Sequence, residues 1–492
     1  MIKIDNLSPS KMDDTDSMSD DEDENLTYEQ QREKRMKKNE EMLDILGVNQ
    51  AAKTLVSSLQ KQTPVKKAKP VKNTSLKPER RSLRIANLPA SEEYHLPGES
   101  ELKSNNSESS KKYDSYETNF KDQSSISIPE EDSDFVEKLS DDLAIKEAVK
   151  DFHLLPSHKF VHVLKSLDMY TPSLKVCEKR IYSLAIHPSE TSLIVAAGDM
   201  RGNISLYNNR NSEMREYRLH DAPVNCISFC TWDSHKLFST SHDGSVRCGD
   251  IVKRTFNIIY KTEWKSQSKS KMNHATWHTE FERNLLIGNG SGHVDLVDTR
   301  TPDKIINTAW CHERSVRTVQ CHPLEKHHFL TSSGIGEVSL WDIRNMTDQS
   351  INPVLQFEHP KSLTSAFFSA SGTKMVSTCN DDNIRIFNTD RLNSSATKPI
   401  NIIPHNNHTG RWLSVFKAKW NPGRDNEFFV GSMLSPKRIQ VYNCAGHVLH
   451  NLMSTDMTTY CSVIEVHPTQ AIYVGGNGSG RLHIFSTKEQ LT

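Results

Sequence analysis

The sequence predicts an all-β protein, a seven-bladed β-propeller behind a charged N-terminal arm that is largely disordered and carries one short helix. Three observations predict it. A short strand ending in an aromatic and a polar residue recurs seven times, an alternating strand running into His-Pro recurs in the same register, and glycine turns fall at matching intervals. The arm is assigned to residues 1–150 and the propeller to 151–492.

The arm is read from composition. All nine cysteines and all seven tryptophans of the 492-residue chain lie beyond residue 170, so the first 150 residues lack the apolar surface that offsets chain entropy. Net charge is only −1, yet Asp13 to Glu24 carries eight acidic side chains, and 61–84 carries nine basic ones against Glu79 alone. Such blocks self-repel and stay solvated as interaction tails. Between them, Thr27 and Gln30 form a capping-box pattern and Gly47 fits a C-terminal stop, which predicts a helix over about 27–47. Lys66, Lys67 and Lys69, with Arg80, Arg81 and Arg84, read as a nuclear-import or nucleic-acid tether, kept extended by prolines at 64, 70 and 78.

The first propeller marker appears as Ser205-Leu206-Tyr207-Asn208 and returns as Arg247-Cys248-Gly249-Asp250, Asp295-Leu296-Val297-Asp298, Ser339-Leu340-Trp341-Asp342, Arg385-Ile386-Phe387-Asn388, Gln440-Val441-Tyr442-Asn443 and His483-Ile484-Phe485. The copies are 42 to 55 residues apart, the length of one four-stranded blade. The second marker is Ile186-His187-Pro188, Cys321-His322-Pro323 and Val466-His467-Pro468, with Trp420-Asn421-Pro422 as a variant; proline ends the strand because it cannot donate to a ladder. The third is the turn at Gly202, Gly244, Gly292 and Gly480, where glycine supplies positive φ. A blade cannot bury both faces alone, so neighbours stack and seven close a ring. The chain ends soon after Phe485, and Phe160 to Leu167 is expected to supply the missing strand of the last blade. The chain resembles WD-repeat propellers over roughly 157–487 on these markers.

His220, Ser239 and Asp243 are spaced as catalytic groups are, but WD blades use those residue types as a buried hydrogen-bond network, so no enzyme activity is expected. Cys311-His312 and Cys321-His322 fall at repeat positions without a CxxC, so no metal is expected, nor any cofactor or small-molecule substrate. No stretch approaches 18 consecutive apolar residues, so no membrane partner is expected. The odd cysteine count without framework spacing predicts a reducing, intracellular setting.

Neighbouring strands are antiparallel, so residues just before the innermost strands share one rim and the ends of the third strands share the other. The first set is Arg180, Lys271, Arg317, Lys361, Arg411 and Trp412, a cationic group suited to phosphate. Trp412 stands in the polar loop 405–412, beside Gly410 and Arg411; it either stacks on a base or anchors the start of the next strand. The second set carries Asp298-Thr299-Arg300 and Asp342-Ile343-Arg344. This pair of D-x-R copies resembles the box by which WD proteins dock on the adaptor of cullin-4 ubiquitin ligases.

Three stretches resemble the WD repeat-containing protein 76 family, which includes the yeast changed-mutation-rate DNA damage-binding protein: the helix from Tyr28 to Gly47, Arg80-Arg81-Ser82-Leu83-Arg84 with Asn87-Leu88-Pro89, and His405 to Leu413. That family is related to the WD subunit of the UV-damaged-DNA-binding complex, which inserts a hairpin tip into DNA. The resemblance places Gly410, Arg411 and Trp412 at the tip, with Leu413 to Trp420 as the following strand. It implies DNA binding, single- or double-stranded, with a preference for damaged DNA, in the nucleus and among chromatin proteins. A cullin-4 substrate receptor and a pure protein-interaction scaffold are the alternative readings.

Overall fold

The computed structural model describes residues 123–143, 152–170, 174–262, 274–301, 304–347, 351–390, 397–457 and 459–487, together with Glu29, Met36, Lys37, Asn39, Glu41, Met42, Asp44 and Ile45. Those eight are helical and exposed, inside the span where the capping pattern predicts a helix. The chain divides into units 1–112 and 113–492, and the second is the seven-bladed propeller.

Blade 1 is built of Ile181–Ile186, Ile194–Asp199, Asn203–Asn208 and Glu213–Arg218, paired antiparallel in chain order from the axis outward. Blades 2 to 6 repeat the order, with innermost strands Val224–Phe229, Ala275–Phe281, Val316–Cys321, Leu363–Phe368 and the short Lys419–Trp420. Blade 7 takes Cys461–Val466, Tyr473–Asn477 and Arg481–Ser486. All seven copies of the aromatic-plus-polar marker fall on the third strand of a blade. Seven apolar clusters hold the ring, one in each seam between neighbours.

Ring closure differs from the expectation. Phe160 to Leu167 is not a strand. Ser157–Lys165 is a helix opened by Pro156, and it drives Phe160 and Leu164, both fully buried, into the seam between blades 6 and 7. The strand role falls to Asp168–Met169 and Leu174–Lys175, which both pair with the Arg481–Ser486 strand. The run from Phe160 has apolar residues at two-residue spacing and also at four-residue spacing. Packing against Arg424, whose guanidinium lies 4.1 Å from the Phe160 ring, selects the second.

The propeller also takes in residues assigned to the arm. Ser125–Ser127 adds a fifth strand to the outer edge of blade 2, pairing with Thr255–Asn257. The helix Ser133–Asp142 follows, with Phe135, Val136 and Leu139 buried on one face, and with Leu143 beyond its end they join the seam between blades 1 and 2. Its polar ends are tied down: Asp132 pairs with Arg215 at 2.6 Å, and Asp142 with Arg210 at 2.7 Å. A segment this polar hides its apolar face, because only four or five side chains turn inward.

Candidate nucleic-acid interface

The 405–414 loop has a buried base and an exposed tip. His405, Asn407 and Thr409 point inward. Asn407 Nδ2 donates to the Cys379 carbonyl at 2.8 Å, and its backbone N–H donates to Asp382 at 2.8 Å. Gly410 then turns the chain at φ +62° with open space around it. Gly410, Arg411 and Trp412 are all exposed, and Trp412 keeps 75% of its surface in solvent. The Arg411 guanidinium lies 4.8 Å from the Trp412 ring, a cation–π pair. Trp412 therefore does not anchor the strand start.

The loop crosses the ring rather than simply entering blade 6. Ser414 Oγ donates to the Ile181 carbonyl of blade 1 at 2.6 Å, and Arg180 Nη1 donates to the Arg411 carbonyl at 2.6 Å. Leu413 passes over the Gly478 turn of blade 7. This crossing explains why pairing in blade 6 starts only at Lys419, and not at Leu413 as the resemblance implies. The tip is thus tethered to blades 1 and 7.

Four of the expected rim cations are described. Arg180 and Arg411 meet at the loop, Arg317 lies over the Gly334 turn of blade 4, and Lys361 is exposed before blade 5. Among the described residues no carboxylate pairs with any of the four, so their charge is available to an external anion. Nearby Lys179 and Arg201 are instead neutralised by Glu178, at 2.8 and 3.3 Å. Lys271 lies outside the described residues, as do Lys66, Lys67, Lys69, Arg80, Arg81 and Arg84.

The opposite rim is built differently. Arg300 folds back on Asp298 with Nη2 at 2.9 Å, and Arg344 on Asp342 at 2.6 Å. In each copy the arginine's own backbone N–H also donates to the aspartate. The arginine hydrogen bonds hold the Asp298 carboxyl well below the usual range and lower that of Asp342 to about 2. The two guanidiniums project from successive blades in matching geometry, with 71% and 65% of their side-chain surface exposed. Val297 and Trp341 occupy the same buried position one blade apart.

The triad-like set of blade 2 is buried. His220 Nε2 lies 2.9 Å from Ser239 Oγ and its Nδ1 lies 3.1 Å from Asp243. Burial raises the Asp243 carboxyl, but hydrogen bonds from His220 and Ser245 outweigh it and hold the group well below the usual range. Blade 4 repeats the network as His312, Thr331 and Trp341, with Trp341 Nε1 donating to Thr331 Oγ1 at 2.7 Å. These chains are buried and brace the blades. Among the described residues, no group of His, Cys, Asp or Glu is placed to hold a metal.

Sequence reasoning passes over Trp277, Lys417 and Lys419, which line the axial channel. The signal for them is the alternation Phe416-Lys417-Ala418-Lys419-Trp420, which buries every second residue in the blade seam and turns both lysines to the axis.

The ring, its repeat markers and its braced blades define a WD-repeat propeller protein. The WD domain, G-beta repeat family matches residues 211–250 and 351–388. The chain is 36% identical over 352 residues to WD repeat-containing protein 76 of Xenopus laevis, covering 69% of this chain and 59% of that protein. It is 37% identical over 324 residues to the protein of the same name from Mus musculus, covering 64% of this chain and 50% of that one. DNA damage-binding protein CMR1 of Scheffersomyces stipitis is 26% identical over 517 residues, covering 93% of this chain and 99% of its own length. The chain thus spans between half and three-fifths of the two vertebrate relatives. These relatives bear out the resemblance to the WD repeat-containing protein 76 family drawn from the sequence.

Proposed function

We propose that this chain is a nuclear, non-catalytic DNA-binding propeller with a preference for damaged DNA, gripping phosphates with the loop-side rim and reading the duplex with the 410–412 tip. The observation that carries it is an exposed tryptophan, stacked on by Arg411, at the end of a loop tethered on two blades and set among cations that lack carboxylate partners among the described residues. Anchored at its base, the tip presents an aromatic face to an unstacked base at low entropic cost. The name of the fungal relative, DNA damage-binding protein, supports the same class.

The test is a salt titration of the full chain on matched intact and UV-irradiated duplexes, by fluorescence anisotropy. Neutralising about four phosphates gives a slope of log K against log salt of about −3 to −4. Trp412→Ala weakens binding roughly 5- to 150-fold, the worth of about 1–3 kcal/mol of stacking, and more on irradiated DNA. Equal affinities for the parent, Arg411→Ala and Trp412→Ala at every salt concentration abandon the interface. No binding at physiological salt leaves a pure scaffold.

A second reading rests on the D-x-R copies: the rim opposite the loop docks on the adaptor of a cullin-4 ligase through Arg300 and Arg344. Their duplicated, pre-set geometry favours it, and it is compatible with DNA on the other rim. Adaptor co-purification that survives Arg300→Ala with Arg344→Ala removes this reading.

A further inference from the structure

The innermost strands of blades 1, 2, 3, 6 and 7 line a partly open pocket of about 40 Å³ on the propeller axis. Two lysines line it, and their situations differ. Lys419 is paired with Glu465, with Oε2 at 3.0 Å. Lys417 has no carboxylate partner among the described residues, and its Nζ stands 4.3 Å from the Trp277 ring. Ser462 lines the same cavity, is 3% exposed, and its Oγ has no hydrogen-bond partner among the described residues. Tyr182, also in the lining, accepts from Arg180 Nη2 at 2.8 Å and keeps its own hydroxyl proton to donate.

The charged groups of this wall do not balance. The near carboxylate is committed to Lys419, leaving the charge of Lys417 uncompensated. A cation–π contact is worth about 0.5–2 kcal/mol, less than the several kcal/mol that taking an ammonium out of water costs. We propose that the axial cavity is a site for a single oxyanion, a phosphate or a carboxylate group, held by the Lys417 ammonium with the Ser462 and Tyr182 hydroxyls as further donors. The site is separate from the 410–412 tip and does not depend on the DNA reading.

Burial, with Lys419 next, lowers Lys417 to about 8; the other groups bearing on it are Cys226 and Glu465, which oppose the shift, and Arg317, which adds to it. His242 also faces it and is itself held neutral, lowered to about 4 by burial, His274 and Arg317 before Lys417 contributes. The ammonium must be charged to hold the anion. Binding is therefore strongest below pH 8 and fades as the pH rises through it.

The experiment is thermal unfolding of the full chain in inorganic phosphate against chloride at equal ionic strength, at pH 7 and pH 9. The expected result at pH 7 is a saturable rise in Tm of about 2 °C at tenfold the half-saturating concentration, and a smaller rise at pH 9. Phosphate also stabilises proteins by exclusion from their surface, and Lys417→Met measures that background. Lys417→Met removes the uncompensated charge but keeps the stem, so it is expected to fold at least as stably as the parent and to lose the saturable rise. Lys417→Arg is expected to retain it. A parallel series in acetate distinguishes a carboxylate ligand from a phosphate one. Trp412→Ala is expected to leave the rise unchanged, which separates this site from the DNA interface. A rise of equal size in parent and Lys417→Met, or no rise above chloride in either anion, overturns the proposal.

Discussion

Histidine recurs at the end of the innermost strand because its two ring nitrogens serve two blades at once. His187 Nδ1 accepts from the Ser189 N–H at 3.0 Å, so Nε2 carries the proton and donates to the Ser234 carbonyl of blade 2 at 3.1 Å. His467 does the same at ring closure, reaching the Ser189 carbonyl of blade 1 at 2.9 Å. In the variant copy the bridge survives with other groups: the Tyr473 hydroxyl of blade 7 donates to Asn421. The sequence shows the His-Pro spacing and, through proline, the strand end. It does not show the bridge, which exists only once the neighbouring blade is in place. A similar substitution hides the missing tryptophan of blade 2, where Phe256 lies against Gly249 so closely that an added Cβ would come within 2.1 Å of its ring. His187→Ala leaves one amide and one carbonyl unsatisfied in a closed seam, and is expected to cost about 2–4 kcal/mol. Urea unfolding measures this; a midpoint equal to the parent's would show that the bridge carries no weight.

At the scale of elements, strands with strong alternation were legible and segments with thin apolar content were not. Blade strands such as Leu355–Glu358, buried at every second residue, announce themselves through that alternation and their bounding turns. The Ser125–Asp142 strap sits in a run of serine and acidic residues and reads as a tail, yet it caps an edge strand and closes a seam. The candidate interface followed the same pattern. Rim membership of Arg180, Arg317, Lys361 and Arg411 follows from antiparallel order alone, whereas the crossing of the 405–414 loop to blade 1 depends on a contact between residues 233 apart in sequence. The strap makes a concrete prediction. A chain starting at residue 113 keeps it, and a chain starting at residue 151 loses the side chains of Ile128, Phe135, Val136, Leu139 and Leu143, each worth about 1.5–3 kcal/mol of burial before its entropy cost. The shorter chain is expected to melt about 5 °C or more below the longer one. Equal melting temperatures would mean that the strap rests on the propeller without stabilising it.

Over the whole ring, polar side chains in the seams do a job that sets its acid stability. His187, His278 and His483 are at most 3% exposed, and burial above all pushes them down to about 4, 3 and 4. His278 illustrates why: it bridges Thr240 at 2.6 Å and Ser228 at 2.8 Å, and burial is what lowers it. Their folded values lie below the unfolded value of about 6.5, so the unfolded chain binds protons that the native ring refuses. These groups are neutral in both states above that value and contribute no pH dependence there. Stability falls as the pH drops from about 6.5 toward 4, by an order of a few kcal/mol per histidine, and the full penalty is in place below the folded values. Because every seam must hold for the ring to stay closed, protonation at any one of them opens the others. Calorimetric melting of the full chain between pH 8 and pH 4 is expected to give a level Tm down to about 6.5 and a steep decline beneath it, with unfolding at pH 5 taking up on the order of three protons from these groups. A Tm that stays level to pH 4 would mean that the seams accept charged imidazoles, and that the network holding the blades together is not the neutral one described by these hydrogen bonds.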